Sequence, residues 1–255
     1  MRKRAEGVRN IVRFNWHFYA GAGGTALLLV AGLVLADGYP TGQLVLALAL
    51  LAVLLPTVVS LGVSWYVYDA SGLYDFAWLL PAGATPPTRL VNIHAGFDET
   101  SALLRQQFPA AGLRVLDFYN PALHTEVSIR RARAAAVPYP GTESVSPHAL
   151  PLPTAGTDYV LVMLAAHEIR DPAQRAAFLR EIRRVLAPGG RAVVVEHLRD
   201  PANFLAYTIG FLHFYSRTTW RAAFRAGGLR VGQEQKLTPF LSAFMLYPDT
   251  DGSTF

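Results

Sequence analysis

Two long apolar runs dominate the first quarter of the chain, and strand and helix periodicities take over after them. The first run extends from about Trp16 to Ala36, the second from about Leu44 to Val67. Each approaches the ~20 residues a helix needs to cross the hydrocarbon core of a bilayer. Asp37-Gly38-Tyr39-Pro40-Thr41-Gly42 between them reads as a compact turn. Glycines in the first run and Pro56 in the second are tolerable in membrane helices. The pattern predicts a transmembrane hairpin. A signal peptide cleaved near Ala36 competes with this reading, against the length of the run and the presence of a second. A buried hairpin of a soluble protein competes too, against the length of both.

Further along, Tyr159–Leu164 is an apolar run of strand length. Asp171-Pro172 then opens a helix, with an N-cap carboxylate and proline at the first helical position. Phe178, Leu179, Ile182, Val185 and Leu186 recur at helical spacing, and Pro188-Gly189-Gly190 stops the helix. Ala192–Val195 is a second buried strand, ending in Glu196 and His197. A unit of this length implies parallel strands joined by a right-handed crossover. Arg89–Ile93 and Leu113–Leu116 read as strands, with a helix from about Glu99 to Gln107 between them. Thr125–Ala136 reads as a basic helix, and Thr218 or Thr219 caps a short helix to Ala226. Leu229–Val231 begins a strand and Phe240–Tyr247 is the last one. The fold class is α/β. Ligands of open parallel sheets sit beyond the carboxyl ends of the strands, where His167, Glu168, Glu196 and His197 fall.

The helix, then Arg184–Gly190 (RVLAPGG), then strand resembles the common RVLKPGG segment of class I S-adenosylmethionine-dependent methyltransferases. Tyr68–Asp75 resembles the YDxxAxxYD segment before that family's first strand, and Ser146–Pro153 resembles its DAxxLPF segment. The resemblance covers roughly Ser64 to Tyr247. It implies a Rossmann-like, mostly parallel sheet of seven strands with a closing antiparallel strand, and S-adenosylmethionine as cofactor. By it, Tyr68 and Tyr74 lie over the methionine end of the cofactor. His94-Ala95-Gly96-Phe97-Asp98 stands where the family has its glycine loop, so His94, Gly96 and Phe97 would hold the cofactor, with Ala165 at the end of the fourth strand. The loop departs from the family pattern: His94 and Asp98 replace the outer glycines, and Asn92 replaces the preceding acid. Asp117 lies roughly twenty residues past the loop, as suits a carboxylate accepting from ribose hydroxyls; a strand-end turn acid is its plainer reading. Phe118 is placed to stack on adenine. Ser146 stands where the family has the acid that accepts from the adenine amino group, beside Pro147, and a hydroxyl accepts more weakly.

Methyl transfer from a sulfonium is an in-line displacement in which the protein supplies position and charge balance. Phenol-type acceptors lose a proton, which a histidine can manage. His167 is the first catalytic candidate, a structural histidine being the alternative; His213, His197 and Glu196 rank below it. Asn203–Tyr215 is aromatic, short of charge and too short to span. It reads either as a core helix or as a cap over a greasy acceptor site that also touches lipid, with Tyr207, Phe211 and His213 as acceptor contacts. No H-x-x-x-H spacing exists, so no metal is expected.

Composition sharpens this picture. A hydrophobic fraction of 52% with only 16% charged residues leans towards membrane contact. The net charge of +5 is modest, and the apolar content favours a membrane over nucleic acid. The absence of cysteine excludes disulfides and thiolate metal sites. Met1–Arg13 carries five basic residues against Glu6, and no lysine or arginine follows from Phe14 to Thr88. The positive-inside rule therefore keeps the arm, and the domain after the hairpin, in the cytoplasm. Three regions result: an arm and hairpin over 1–68, an interfacial segment and linker over 69–88, and a methyltransferase-like domain over 89–255. The expected protein is a methyltransferase of the inner (cytoplasmic) membrane with its catalytic domain on the cytoplasmic side. Its acceptor is a lipophilic small molecule of phenol, quinone or lipid type. Its partners are that acceptor and membrane lipid, not nucleic acid, with self-association left open. The alternative is a non-catalytic methyltransferase-fold scaffold with an eroded cofactor loop.

Overall fold

The computed structural model describes residues 4–80, 83 and 85–249. Part of the basic arm and part of the Pro81–Thr88 linker lie outside them. The chain opens with helices α1 (Glu6–Phe14), α2 (Trp16–Leu35) and α3 (Pro40–Trp65). α2 and α3 pack on each other as a hairpin. At 20 and 26 residues they are about 30 and 39 Å long at the helical rise. α2 buries none of its side chains, and α3 buries only Ser64. Helices apolar all round and yet unburied have no protein partner for most of their surface.

α3 continues into a π-turn over Tyr66–Ala70. There the Asp69 carboxylate accepts from the backbone N–H groups of Gly7 and Val8, at 2.8 and 2.9 Å. It thus caps the first turn of α1 from 62 residues away. The stretch after it packs on the domain: Val67, Leu73, Phe76 and Leu79 are buried against the sheet. A headgroup location, one reading of this aromatic stretch, does not hold for Phe76 and Leu79.

The sheet contains β1 (Arg89–His94), β2 (Gly112–Asp117), β3 (Glu143–Ser144), β4 (Thr157–Met163), β5 (Leu186–His197), β6 (Leu229–Thr238) and β7 (Leu241–Pro248). Their order is β3-β2-β1-β4-β5-β7-β6. β7 runs opposite to the other strands, giving the seven-strand, mostly parallel Rossmann-like sheet that the family resemblance implied. α4 (Ser101–Gln107) follows β1, α5 (Val127–Ala135) follows β2, and α6 (Pro172–Val185) joins β4 to β5. α6 forms as expected. Asp171 accepts from Gln174 N–H at 2.8 Å, Pro172 sits in the first turn, and Phe178, Leu179, Ile182 and Val185 are fully buried. Each of these side chains stabilises by about 1.5–3 kcal/mol. The chain then passes directly into β5 at Leu186, which pairs with Thr157 across a register shift, so β5 starts earlier than Ala192.

α7 (Pro201–Tyr207) and α8 (Arg217–Ala226) complete the fold. Two details differ from the sequence reading. α8 is capped by Ser216, whose Oγ accepts from Thr219 N–H at 3.0 Å. The aromatic segment is not one helix: Thr208 adopts φ 51°, and Thr208–His213 continues as a tighter 3-10 turn.

Candidate active site

β1 and β2 end side by side, with His94 paired to Asp117. Gly96 turns the chain after β1 at φ +91°. Where the family loop relies on glycines, this turn is held by polar side chains. Asp98 Oδ1 accepts from the N–H groups of Thr100 and Ser101, both at 2.9 Å, and the Asn92 amide donates to Thr100 and Ser101 Oγ at 2.7 and 2.8 Å. His94 Nδ1 accepts from Gly96 N–H at 3.2 Å, and burial lowers the pKa of this histidine, keeping it neutral. A Cβ on Gly96 would stand 3.0 Å from the Tyr119 ring and 3.1 Å from Arg133 Cδ. Gly96→Ala therefore combines a left-handed backbone with crowding. It is expected to destabilise the protein by about 1–2 kcal/mol, read as a lower thermal midpoint.

Asp117 is buried, but its oxygens are engaged. Oδ1 accepts from Tyr119 N–H at 2.9 Å, and Oδ2 accepts from the Arg133 guanidinium, which reaches over from α5 and lies 4.9 Å from the Tyr119 ring centroid. Phe118 is packed against Phe178 and His124 in the core. Ser146 is exposed just past β3, with Pro147 half-buried beside it, and Ala165 is buried in the core after β4. Tyr74 donates to Glu99 at 3.0 Å near the turn, and Phe97 meets Phe14 of α1 edge-on at 5.2 Å. A cavity of about 710 Å³ opens between α1 and the turn, lined by Arg13, Phe97, Asp98 and Tyr139 among others.

On the other side of the sheet's midline, β4 and β5 end at a second cluster. The chain turns at Leu164 (φ 52°) into a 3-10 turn that places His167 beside β5. His167 Nδ1 lies 2.7 Å from Glu196 Oε2 and Nε2 lies 3.2 Å from Glu168 Oε1. Burial alone would lower this histidine's pKa; the carboxylates of Glu196 and Glu168 overcome it and raise the value to about 10. Burial opposes ionisation of Glu168 as well, and His167 outweighs it, holding Glu168 at about 2. His213 meets the His167 ring at 5.1 Å, and Arg170 Nη2 lies 2.6 Å from His213 Nδ1. His167, Glu168 and His213 offer atoms within 4.8 Å of one another, a grouping of metal-ligand type that linear spacing does not reveal. The Arg170 cation already stands at its mouth.

His197 has the opposite character. Burial pushes its pKa down to about 4, so it is neutral. Its Nδ1 faces Asn203 Oδ1 and the Phe240 carbonyl, both at 3.0 Å, which places the ring proton there. Nε2 is then free to accept from the Tyr68 hydroxyl at 2.8 Å. Phe214 stacks on the ring at 4.8 Å, and Tyr207 meets it edge-on at 5.4 Å. Tyr68 therefore sits on the β5 side and Tyr74 beside the turn.

The two histidines fix a pH dependence. The raised pKa of His167 gives stability that is complete below its ordinary value of 6.5 and is lost as pH climbs towards 10. The depressed pKa of His197 gives the reverse: stability is lost as pH falls from 6.5 towards 4. The thermal midpoint is expected to peak near pH 6.5, and His167→Gln is expected to flatten the alkaline limb only.

Residues 96–194 match the methyltransferase domain family. Over that stretch the chain is similar to a methyltransferase domain. Two curated methyltransferases align with it. Demethylmenaquinone methyltransferase of Thermus thermophilus is 32% identical over 127 residues, 49% of this chain and 55% of that protein. The ubiquinone/menaquinone biosynthesis C-methyltransferase of Geobacter sulfurreducens is 32% identical over 112 residues, 42% of this chain and 41% of that protein. The chain thus spans about half the length of the curated relatives it matches. Among solved structures, the PH0226 protein of Pyrococcus horikoshii OT3 superposes with TM-score 0.50 at 14% identity, over 69% of this chain and 89% of that one. LaPhzM superposes with TM-score 0.50 at 16% identity, over 94% and 73%. These likenesses are of fold.

The family's donor is S-adenosylmethionine, and the turn after β1 has unused polar capacity. Among the described residues, His94 Nε2 and Asp98 Oδ2 are buried at the turn without a hydrogen-bond partner, and Phe97 and Asp98 line the cavity. The Asp117 carboxylate is held by the Arg133 guanidinium, whose side chain is 38% exposed. The contact of Arg133 with Asp117 is not legible in the sequence, where Arg133 is one of three arginines on a basic helix. Nor is that of Asn203 with His197 and Phe240, since Asn203 opens an apolar run.

Proposed function

We propose that this protein is a membrane-anchored methyltransferase that uses S-adenosylmethionine to methylate a lipophilic phenol- or quinol-type acceptor. The observation that carries the reading is the His167–Glu196 pair at the ends of β4 and β5, beneath the aromatic segment Tyr207–Phe214, in a methyltransferase domain. The curated relatives are named for quinone methylation, which supports an acceptor of that class. The unburied apolar helices α2 and α3 support the anchor, and the basic residues of α1 favour its cytoplasmic end.

The donor, when bound at the turn through His94, Gly96, Phe97 and Asp117, supplies an electrophilic methyl group. The acceptor gives an electron pair and releases its hydroxyl proton. His167 is charged at neutral pH, and its role is to turn its Nε2–H, which faces Glu168 at 3.2 Å, to the acceptor oxygen as negative charge develops there. Glu196 holds the ring in place through Nδ1 and keeps it charged. The released proton leaves to water; His197, neutral and with its Nε2 taken by the Tyr68 hydroxyl, positions that phenol rather than holding the proton. Tyr207, Phe211 and His213 line the acceptor side.

The test is incubation of the full chain in lipid nanodiscs with S-adenosylmethionine and a naphthohydroquinone bearing an isoprenoid tail. A product heavier by one methylene, absent without protein, is expected. One observation favours a second reading, a non-catalytic scaffold: Arg133 occupies the carboxylate of Asp117. Titration calorimetry separates the two, because well-folded protein that takes up no S-adenosylmethionine is a scaffold.

A further inference from the structure

α7 and the 3-10 turn after it present two faces of different character. Inward, Asn203 and Ala206 are buried, Asn203 donates to Asp200 Oδ1 and the Phe240 carbonyl, and Phe214 and His213 lie against His197 and His167. Outward, Phe204, Leu205, Ile209 and Leu212 are 49%, 71%, 80% and 56% exposed. Four large apolar side chains facing out within nine positions form a patch of the kind that marks an interaction site. Its backbone is unusually well satisfied for so irregular a segment. Arg199 donates to the carbonyls of Phe214 and Leu212, and Arg170 donates to that of His213. Irregular backbone is tolerated against lipid only when protein groups meet its polar atoms.

The position of the segment says what covers it. α7 packs against α3, which ends at the exposed Trp65, and the exposed Tyr66 that follows it meets Phe240 edge-on at 6.5 Å. The patch is therefore continuous with the apolar surface of the hairpin where the hairpin meets the domain. No acid lies between Pro201 and Ser216, and Asp200 beside them is paired with Lys236 at 3.1 Å. Arg199 and Arg170 donate to the segment's carbonyls, Arg170 also pairing with Glu126 at 3.2 Å.

We infer that Phe204–Leu212 is a third membrane-contacting element, lying in the headgroup–acyl boundary rather than crossing it, and that it roofs the acceptor site so that the acceptor enters sideways from the bilayer. An element of this kind buries its apolar face about 5–10 Å into the boundary. The inference rests on the hairpin reading of α2 and α3, and the experiment reads the two separately.

The chain has no cysteine, so single-cysteine variants accept a nitroxide label cleanly. Labels at Leu28→Cys and Leu48→Cys report the hairpin, Ile209→Cys and Leu212→Cys report the roof, and Arg225→Cys is the aqueous reference. The full chain is placed in vesicles containing phosphatidylglycerol, and collisions with oxygen and with a neutral nickel chelate are compared. Hairpin and roof labels are expected to favour oxygen several-fold over nickel, unlike the reference. Roof labels open to nickel while hairpin labels favour oxygen would overturn the roof and leave the anchor standing. Nickel access at all four would remove the anchor as well. Roof labels shielded from both probes would mean a contact with a second copy of the chain, which also overturns the proposal. As a second readout, the Leu205→Gln/Ile209→Gln pair is expected to lose methylation of the long-tailed naphthohydroquinone in vesicles several-fold. It should keep methylation of a tailless naphthohydroquinone in detergent.

Discussion

Replacing His167 with glutamine is expected to lower kcat by about 10²- to 10³-fold while leaving the affinity for S-adenosylmethionine unchanged. The loss is the charge that the imidazolium presents to the acceptor oxygen, and the donor is held elsewhere, at the turn after β1. The same change leaves Glu196, 1% exposed, beside a neutral amide instead of a cation. Breaking a buried pair in this way costs about 3–5 kcal/mol, so the variant is expected to melt earlier and must be assayed below its midpoint. Glu196→Gln is the informative companion. It keeps an acceptor opposite Nδ1 but removes one of the two carboxylates that hold the His167 pKa at about 10. The alkaline limb of kcat is expected to move to lower pH in that variant, with binding of the donor intact. A His167→Gln protein that turns over at the parental rate would remove His167 from the chemistry and leave it a structural cation.

Much of this arrangement was open to reading along the chain, because its signals are local. The hairpin shows as two apolar runs, α6 shows its cap at Asp171 and its buried stripe from Phe178 to Val185, and RVLAPGG marks the entry to β5. Asp117 could be placed because its distance from the loop is fixed by one helix and one strand. What could not be read is what depends on approach between distant elements. Asp69 caps α1 across 62 residues. Val67 to Leu79 becomes a layer on the sheet because the hairpin ends against it, and nothing in its own pattern separates that from an aromatic stretch at an interface. His167 and His213 come together only because the chain after α7 breaks at Thr208, a residue seldom found with positive φ. The opposed charge states of His167 and His197 follow from two carboxylates that outweigh burial at the one and from burial that wins at the other. A histidine at a strand end carries neither message alone.

The same kind of distant approach governs the donor site, and it yields the second large effect. Asp117→Ala is expected to weaken S-adenosylmethionine binding by about 10- to 100-fold, since hydrogen bonds to a charged acceptor are worth roughly 1.5–3 kcal/mol. Arg133→Ala should do the reverse. In the present arrangement the guanidinium holds the carboxylate that the ribose needs, so the apparent affinity is reduced by the fraction of molecules in which Arg133 has moved away. Arg133 is more than a third exposed, so its hold is partly screened. Its removal is expected to tighten binding by up to about tenfold, or 1.4 kcal/mol. Calorimetry on both variants decides the matter, and the double variant sharpens it. If Arg133 acts only by competing for Asp117, then its removal gains nothing once Asp117 is alanine, and the double variant binds like Asp117→Ala alone. If instead Arg133→Ala weakens binding, the guanidinium belongs to the donor site itself, and the eroded loop after β1 has been supplemented by a cation from α5.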